Sequence, residues 1–192
     1  MTLADKITSI RLIFAPFFFI VYFLHRFLPI EGNQIWIVVV LWSIFILTGI
    51  SDFLDGYIAR RMGEINDFGK FYDPFADTLT QITYLLCMVL DGLMPGVLFL
   101  LVLYREFSIL FIRNLMLKKG AALGARFSGK LKTVFYIIAI GFALLVSSLI
   151  RLELFGEYIP LAKNISVGVF TISVLISIFS LFDYIFVYRQ KT

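Results

Sequence analysis

The sequence is poor in charged residues and contains a single cysteine. Of its 192 residues, 16% are charged and 60% are hydrophobic, whereas soluble domains carry roughly a quarter charged residues. This composition, with a mean hydropathy of +0.95, excludes an ordinary soluble globular protein. The single Cys87 excludes an intramolecular disulfide. No small-residue cleavage pattern ends the apolar run that follows the short polar N-terminus, so no cleavable signal peptide is expected.

Long apolar runs dominate the chain instead. A helix needs roughly 20 apolar residues to cross about 30 Å of hydrocarbon. Six stretches meet this need: 11–30, 35–58, 71–91, 94–117, 131–150 and 163–188. Since lipid cannot satisfy the backbone of an open sheet, we predict an all-α integral membrane protein with six transmembrane helices in a single domain, residues 1–192. Residues 2–10 are predicted to form a short N-terminal interfacial helix.

The distribution of positive charge predicts the orientation in the membrane. Of the 17 Lys and Arg residues, all but Arg26, Arg151 and Lys163 fall on one side of the predicted spans. Because cytoplasmic loops carry the excess of Lys and Arg, both termini and the polar segment 51–79 are predicted to be cytoplasmic, in a multi-pass protein of the cell membrane. The net charge of +4 is modest, and no nucleic-acid partner is expected.

Four aspartates surround the polar connection between the second and third apolar stretches. Asp52 and Asp55 are three residues apart and would share a face of a helix. Asp73 and Asp77 are four residues apart, which stacks them on one face of the next helix. The connection can turn back, so two antiparallel helices would bring four carboxylates together near the cytoplasmic surface.

Clustered carboxylates in so apolar a chain require cations. An Asp toward the bilayer centre costs about 2.5–3.5 kcal/mol on insertion scales, and mutual repulsion adds to the cost. Hard oxygen ligands suit Mg²⁺ or Mn²⁺, and four carboxylates can bridge two divalent ions about 3.5–4 Å apart. We therefore predict a site for two divalent metal ions. A solvated helix-end cluster paired with Arg60, Arg61 and Lys70 explains one aspartate but not four at this spacing.

Residues 52–77 read D-x2-D-G-x2-A-R-x8-G-x3-D-x3-D. This pattern resembles the signature of the CDP-alcohol phosphatidyltransferase family at every defined position, and the likeness extends over most of the chain. The resemblance implies an enzyme that cleaves a CDP-linked lipid, releases CMP and passes the lipid phosphate to an alcohol. It also implies a homodimer and agrees with an active site in a cytoplasm-facing cavity open to lipid.

The resemblance implies a role for each matched residue. Asp52, Asp55 and Asp73 would be the principal metal ligands. Asp77 would complete the metal site and act as the general base that takes the proton of the acceptor hydroxyl. The residues implied at the nucleotide and donor site are Gly56, Ala59, Arg60 and Gly69.

A second polar stretch, residues 104–135, places charges inside the predicted fourth span. Arg105 and Arg113 lie two turns apart along one helix, and Glu106 shares a face with Arg113, with which it is placed to pair. Because guanidinium groups bind phosphate in a bidentate fork and lysines add point charge, we predict an acceptor that carries a phosphate. The candidate residues for this phosphate are Arg105, Arg113, Arg126, Lys130 and Lys132.

Several shorter motifs resemble one branch of the family, which transfers the phosphatidyl group of CDP-diacylglycerol to glycerol 3-phosphate. They are R-E-F-x5-R followed by G-K-x-K-T, D-P-x-A-D at residues 73–77, and T-x2-R-x4-P beginning at Thr8. By this likeness the two substrates are those of the branch, and Thr8 lies near the nucleotide. The chain departs from the branch at Thr78 and Asp5, where lysine and asparagine are usual.

Two other functions stay open at this point. A CMP-forming cardiolipin synthase shares the aspartate signature but takes phosphatidylglycerol as acceptor, and other acceptor alcohols would use the same metal site. A divalent-cation transporter also carries intramembrane carboxylates, but these should be spread through the bilayer. Here the acids of the far side all fall at loop positions: Glu31, Asp91, Glu153 and Glu157.

Overall fold

The structure, a computed structural model, consists of helices and turns, without a strand among its described residues. It describes residues 3–28, 34–62, 67–118 and 127–190, with side chains for 8–28, 34–51, 69, 72–116 and 127–189. The α-helices are α1 Leu3–Phe27, α2 Ile35–Met62, α3 Asp67–Leu90, α4 Gly96–Lys118, α5 Phe127–Arg151 and α6 Ile159–Gln190, with a 3-10 turn at Gly156–Tyr158. The predicted all-helical class is confirmed.

Each α-helix contains most of one predicted apolar stretch. Among the described residues, three segments are long and apolar enough to cross a membrane: Thr8–Phe27, Phe127–Arg151 and Gly156–Arg189. Ile35–Ser51 is apolar but shorter. The helix α4 carries Arg105, Glu106 and Arg113 along its length, which lowers its apolar character.

The N-terminal segment is helical but is not a helix of its own. The helix α1 runs without a break from Leu3 to Phe27, so the prediction of a separate interfacial helix is corrected. The first helix breaker in α1 is Pro16, and residues 3–15 contain neither proline nor glycine that would end a shorter helix. The polar segment therefore supplies the first turns of α1.

The chain forms two compact units. Unit 1 comprises Met1–Cys87 with Arg151–Leu154, and unit 2 comprises Met88–Ile150 with Phe155–Thr192. An aromatic core joins the helices of unit 1, since the rings of Phe18 and Tyr84 lie 4.4 Å apart between centroids. The Tyr84 hydroxyl is also 2.9 Å from the hydroxyl of Thr48. This core holds α1, α2 and α3 together one turn before Asp52 in α2 and two turns after Asp77 in α3.

The end of α3 is closed by a glycine in unit 2. Gly92 has a φ of +72°, a left-handed conformation that glycine adopts without a steric cost. The N–H of Leu93 donates to the carbonyl of Met88 at 2.8 Å, and that of Gly92 to Val89 at 3.1 Å. These two bonds form a Schellman motif. The Leu93 carbonyl then accepts a hydrogen bond from Ser166 of α6 at 3.1 Å.

One face of α6 in unit 2 is lined by buried serines: Ser166, Ser173, Ser177 and Ser180. Their spacing of seven, four and three residues keeps them on one side of the helix. Small side chains let neighbouring helices approach closely. Ser173 donates to the carbonyl of Phe135 in α5 at 3.1 Å. Ser177 and Ser180 accept hydrogen bonds from Arg105 of α4, so this face of α6 contacts both helices.

Candidate active site

Two aspartates of the predicted metal site lie on one face of α3 in unit 1. Asp73 accepts a hydrogen bond from the hydroxyl of Thr8, with 2.8 Å between the oxygens. Asp77, four residues later, forms an ion pair with Arg11. Thr8 and Arg11 are buried, whereas the Asp77 side chain is 48% exposed. The helix α1 therefore orients both carboxylates while one of them faces the outside of the unit.

Arg11 connects three helices at this point. Besides its contact with Asp77 of α3, its Nε donates to the hydroxyl of Ser51 in α2 at 3.4 Å. Ser51 directly precedes Asp52 in the chain. A second link, between the hydroxyls of Ser9 and Tyr72 at 2.9 Å, joins α1 to the start of α3. The Arg11 side chain thus contacts both α2, which carries Asp52 and Asp55, and α3, which carries Asp73 and Asp77.

Several predicted site residues lie outside the described side chains. Asp52, Asp55, Gly56, Ala59 and Arg60 belong to α2, but only the course of the helix is described there. Arg126 lies outside the described residues altogether. Within the described part, no three potential metal ligands lie together. The convergence of four carboxylates therefore stays a prediction.

The described part of the site has the chemistry that a hard divalent ion requires. Asp73 and Asp77 are carboxylates stacked on one helix face, one turn after Gly69. Carboxylate oxygens are the ligands that Mg²⁺ and Mn²⁺ favour. The hydroxyl of Thr8 can orient Asp73 without neutralising it, as hydrogen bonds to metal-ligating carboxylates do. The donor set of α3 fits a divalent metal site.

A buried group of charges lies in unit 2. Nη1 of Arg105 donates to both carboxylate oxygens of Glu106, at 2.9 and 3.0 Å. Lys132 of α5 donates to the same Glu106 at 2.9 Å. Arg105 also donates through Nε to the Ser177 carbonyl and through Nη2 to the Ser180 hydroxyl, both in α6. All three nitrogens of Arg105 are therefore bound by protein oxygens.

Arg113 has a different environment, although it lies on the same helix. Its Nη2 donates to the hydroxyl of Tyr184 in α6 at 3.2 Å. Its Nε is buried and has no hydrogen-bond partner among the described residues. Arg113 also lies within electrostatic range of Lys132. A buried donor without a partner costs about 1–3 kcal/mol. An acceptor such as an anion that bonded the Nε of Arg113 would therefore remove this cost.

The predicted pairing of Glu106 with Arg113 is wrong. Glu106 bonds Arg105 and Lys132, because the neighbouring arginine and the lysine of α5 reach its carboxylate in the buried interior. Of the other predicted phosphate ligands, Lys130 lies in the first turn of α5 with an exposed side chain. Lys132 is buried, and its ammonium is also 5.0 Å from the ring centroid of Tyr136.

Sequence reasoning missed Tyr184 and the use of Arg11. Tyr184 lies in an apolar run without charged neighbours other than Asp183, so nothing in the sequence distinguished it from a core residue. Arg11 was seen only as one position of the T-x2-R-x4-P motif. Its spacing of three residues from Thr8 places both on one face of α1, and this spacing is the signal that could have indicated a common function for them.

Comparison with known proteins identifies the family of the chain. The model of the family "CDP-alcohol phosphatidyltransferase" matches residues 1–183. The chain belongs to this family.

Two proteins that are similar to this chain have the same name. A protein of Treponema pallidum (strain Nichols), named CDP-diacylglycerol–glycerol-3-phosphate 3-phosphatidyltransferase, is 38% identical over 192 residues, which cover 96% of this chain and 88% of that protein. A Bacillus subtilis (strain 168) protein of the same name is 33% identical over 148 residues, 74% of this chain and 76% of that protein. This chain is similar to both.

Proposed function

We propose that the protein transfers the phosphatidyl group of CDP-diacylglycerol to glycerol 3-phosphate, releasing CMP and forming phosphatidylglycerophosphate. The observation that carries the proposal is the pair of carboxylates, Asp73 and Asp77, which α1 orients through Thr8 and Arg11. Family membership and the names of its relatives support the reaction class and the two substrates.

The reaction exchanges one phosphorus–oxygen bond for another. The hydroxyl of glycerol 3-phosphate attacks the lipid-bound phosphorus, the bond from that phosphorus to CMP breaks, and CMP leaves with the bridging oxygen. Asp77, the more exposed carboxylate, takes the proton of the attacking hydroxyl. Two divalent ions, Mg²⁺ or Mn²⁺, held by Asp52, Asp55, Asp73 and Asp77, would offset negative charge on the phosphates when bound.

The donor and the acceptor use different residues in this proposal. The nucleotide of CDP-diacylglycerol is bound beside Thr8 by residues of the aspartate motif. These are Gly56, Ala59, Arg60 and Gly69. The phosphate of glycerol 3-phosphate is bound by the basic residues of the second polar stretch, with Arg113 as the principal ligand because its Nε lacks a partner among the described residues. Arg105 donates to Glu106, Ser177 and Ser180, so it would reach the phosphate only by exchanging one of these partners. Lys130 and Arg126 add positive charge.

We also propose the placement of the protein in the cell. All six α-helices cross the cell membrane in a single functional domain, residues 1–192, with both termini and the aspartates on the cytoplasmic side. The excess of Lys and Arg at that side supports this orientation. The protein acts as a homodimer. The diacylglycerol part of the donor then stays in the leaflet while glycerol 3-phosphate and CMP exchange with water.

The first experiment measures CMP release by purified protein from CDP-diacylglycerol and Mg²⁺, with and without glycerol 3-phosphate. We expect release that depends on glycerol 3-phosphate and that EDTA stops until Mg²⁺ or Mn²⁺ is restored. Asp73→Asn should abolish this release, because the amide removes a negatively charged metal ligand. Glu157→Gln, an exposed residue of the 3-10 turn, is the matched control and should keep full activity.

Other outcomes separate the alternatives. Release with phosphatidylglycerol but not with glycerol 3-phosphate would keep the aspartate chemistry and assign a CMP-forming cardiolipin synthase. Full turnover by Asp73→Asn, or turnover in EDTA, would contradict the metal site. Uptake of divalent cations into vesicles without any CMP release would favour the transporter.

A further inference from the structure

Tyr184 lies one position beyond the segment that the family model matches, which ends at residue 183. Its side chain is nearly fully buried, with 1% of its surface exposed. Its hydroxyl accepts a hydrogen bond from Nη2 of Arg113 at 3.2 Å. The guanidinium carbon of Arg113 lies 5.7 Å from the centroid of the same ring. Tyr184 therefore contacts Arg113 through both its hydroxyl and its ring.

The position of Tyr184 depends on a glycine of α5. A methyl group placed on Gly129 would lie 3.2 Å from the Tyr184 hydroxyl, tighter than an ordinary contact. The same methyl group would lie 3.5 Å from Cε2 and 3.8 Å from Cζ, which are ordinary distances. The missing side chain at Gly129 thus makes room for the hydroxyl in particular.

We propose that Tyr184, seated against Gly129, is a positioning residue that sets the guanidinium of Arg113 for the phosphate of the acceptor and so contributes to selection of a phosphorylated alcohol. This proposal rests on the proposed function, since it assumes that Arg113 binds that phosphate. By holding Nη2, Tyr184 restricts the rotation of the long Arg113 side chain. An arginine fixed before the ligand arrives loses less conformational entropy on binding.

The test compares KM for glycerol 3-phosphate with KM for CDP-diacylglycerol in matched variants. Tyr184→Phe removes the hydroxyl and keeps the ring. The loss of one hydrogen bond should raise KM for the acceptor about threefold to tenfold and leave KM for the donor unchanged. Tyr104→Phe is the control for the substitution, because Tyr104 lies on α4 with an exposed side chain.

Gly129→Ala provides the second arm. In the wild-type background it should raise KM for the acceptor by displacing the Tyr184 hydroxyl, while the melting temperature stays level or rises because alanine favours a helix over glycine. In the Tyr184→Phe background it should add little, since the atom that the new methyl group crowds is gone. Gly168→Ala in α6, where nothing lies within 4 Å, is the control.

The outcomes separate this inference from the proposed function. An unchanged acceptor KM in Arg113→Ala would overturn this inference, because Arg113 would then not bind the phosphate, whereas CMP release that still depends on glycerol 3-phosphate would keep the proposed reaction. An acceptor KM raised in Arg113→Ala but unchanged in Tyr184→Phe would overturn the role of Tyr184 alone. Equal effects of Gly129→Ala in the two backgrounds, or equal effects of Tyr184→Phe on both KM values, would also overturn it.

Discussion

Asp73 and Asp77 of α3 have partners of different kinds. Asp73 accepts a hydrogen bond from the neutral hydroxyl of Thr8, whereas Asp77 is paired with the cation Arg11. A hydroxyl fixes the direction of a carboxylate and leaves its charge for a metal ion. An arginine also competes with a metal ion for that charge. We therefore expect Asp73 to be the stronger metal ligand of the two.

Thr8→Val tests the contribution of the hydroxyl. Valine has the same shape and keeps the packing of a side chain with no exposed surface. Because partners of metal ligands typically change metal affinity or activity about 10–100-fold, the Mg²⁺ concentration for half-maximal CMP release should rise by about tenfold or more. A Mg²⁺ titration of the activity measures it.

Two variants control this experiment. Thr8→Ser restores the hydroxyl and should restore the Mg²⁺ dependence. Thr83→Val removes a hydroxyl from α3 that donates only to the carbonyl of Leu79 in its own helix, and should leave the titration unchanged. A Thr8→Val enzyme with the wild-type Mg²⁺ dependence would show that Asp73 does not need this bond.

At the residue scale, the sequence predicts the charged and polar residues of the site better than it predicts the residues that position them. The aspartates and Arg113 were recognised because charged groups in an apolar chain are costly and their spacing is regular, and Thr8 was recognised from the family resemblance. Tyr184 was not, because its hydroxyl gains meaning only from Arg113, which is 71 residues away. Contacts over such distances depend on how helices pack, and no local pattern encodes them.

At the scale of the helices, the buried charged residues of unit 2 hold three helices together. Glu106 of α4 is bonded to Lys132 of α5, and Arg105 is bonded to Ser177 and Ser180 of α6. A nearby bond from Ser128 to Asp183, at 2.6 Å, joins α5 to α6 again. Three helices are thus held by polar contacts inside an apolar unit, where water does not compete.

Glu106→Gln should weaken this unit severely. Removing one member of a buried ion pair leaves the remaining charges without compensation and typically costs about 3–5 kcal/mol. The free energy of unfolding in detergent, measured with a denaturant, should fall by that order. Glu157→Gln, at an exposed residue, should leave it unchanged. A Glu106→Gln protein that is as stable as the wild type but inactive would make Glu106 a substrate ligand instead.

The helices themselves were predictable, but their ends were less so. Apolar runs of about 20 residues predict helices because the backbone must be satisfied internally. The structure continues α2 to Met62 and begins α6 at Ile159, four residues outside the predicted stretches in each case. Helical structure does not stop where polar residues begin, and Pro160 is tolerated in the first turn of α6 because no intrahelical partner is needed there.

At the scale of the whole molecule, the proposed orientation can be tested with single cysteines. The native Cys87 is fully buried, so it should give little background. We expect Glu157→Cys to react with a membrane-impermeant maleimide in intact cells. Arg189→Cys, at the other end of α6, should react only after permeabilisation, because α6 crosses the membrane between them in the proposed orientation. Both positions are exposed.

The labelling pattern has clear alternatives. Reaction of Arg189→Cys but not Glu157→Cys in intact cells would invert the orientation. Reaction of both would mean that α6 does not cross. The sequence alone predicted which side each end faces, from positive charge, but it gave no sign that the chain divides into two units near Cys87. That division falls inside α3 and reflects packing, which apolar composition leaves undetermined.

The ion pair of Arg11 also has a consequence for how the protein is made. Arg11 is buried, but its partners Ser51 and Asp77 lie 40 and 66 residues later in the chain. Ribosomes add about 5–20 residues per second, so Arg11 waits roughly 3–13 seconds for its aspartate. During this interval the guanidinium of Arg11 lacks its carboxylate partner. The ion pair of Arg11 therefore forms only after the first turns of α3 have been synthesised, so α1 is fixed against α3 well after α1 itself has been made.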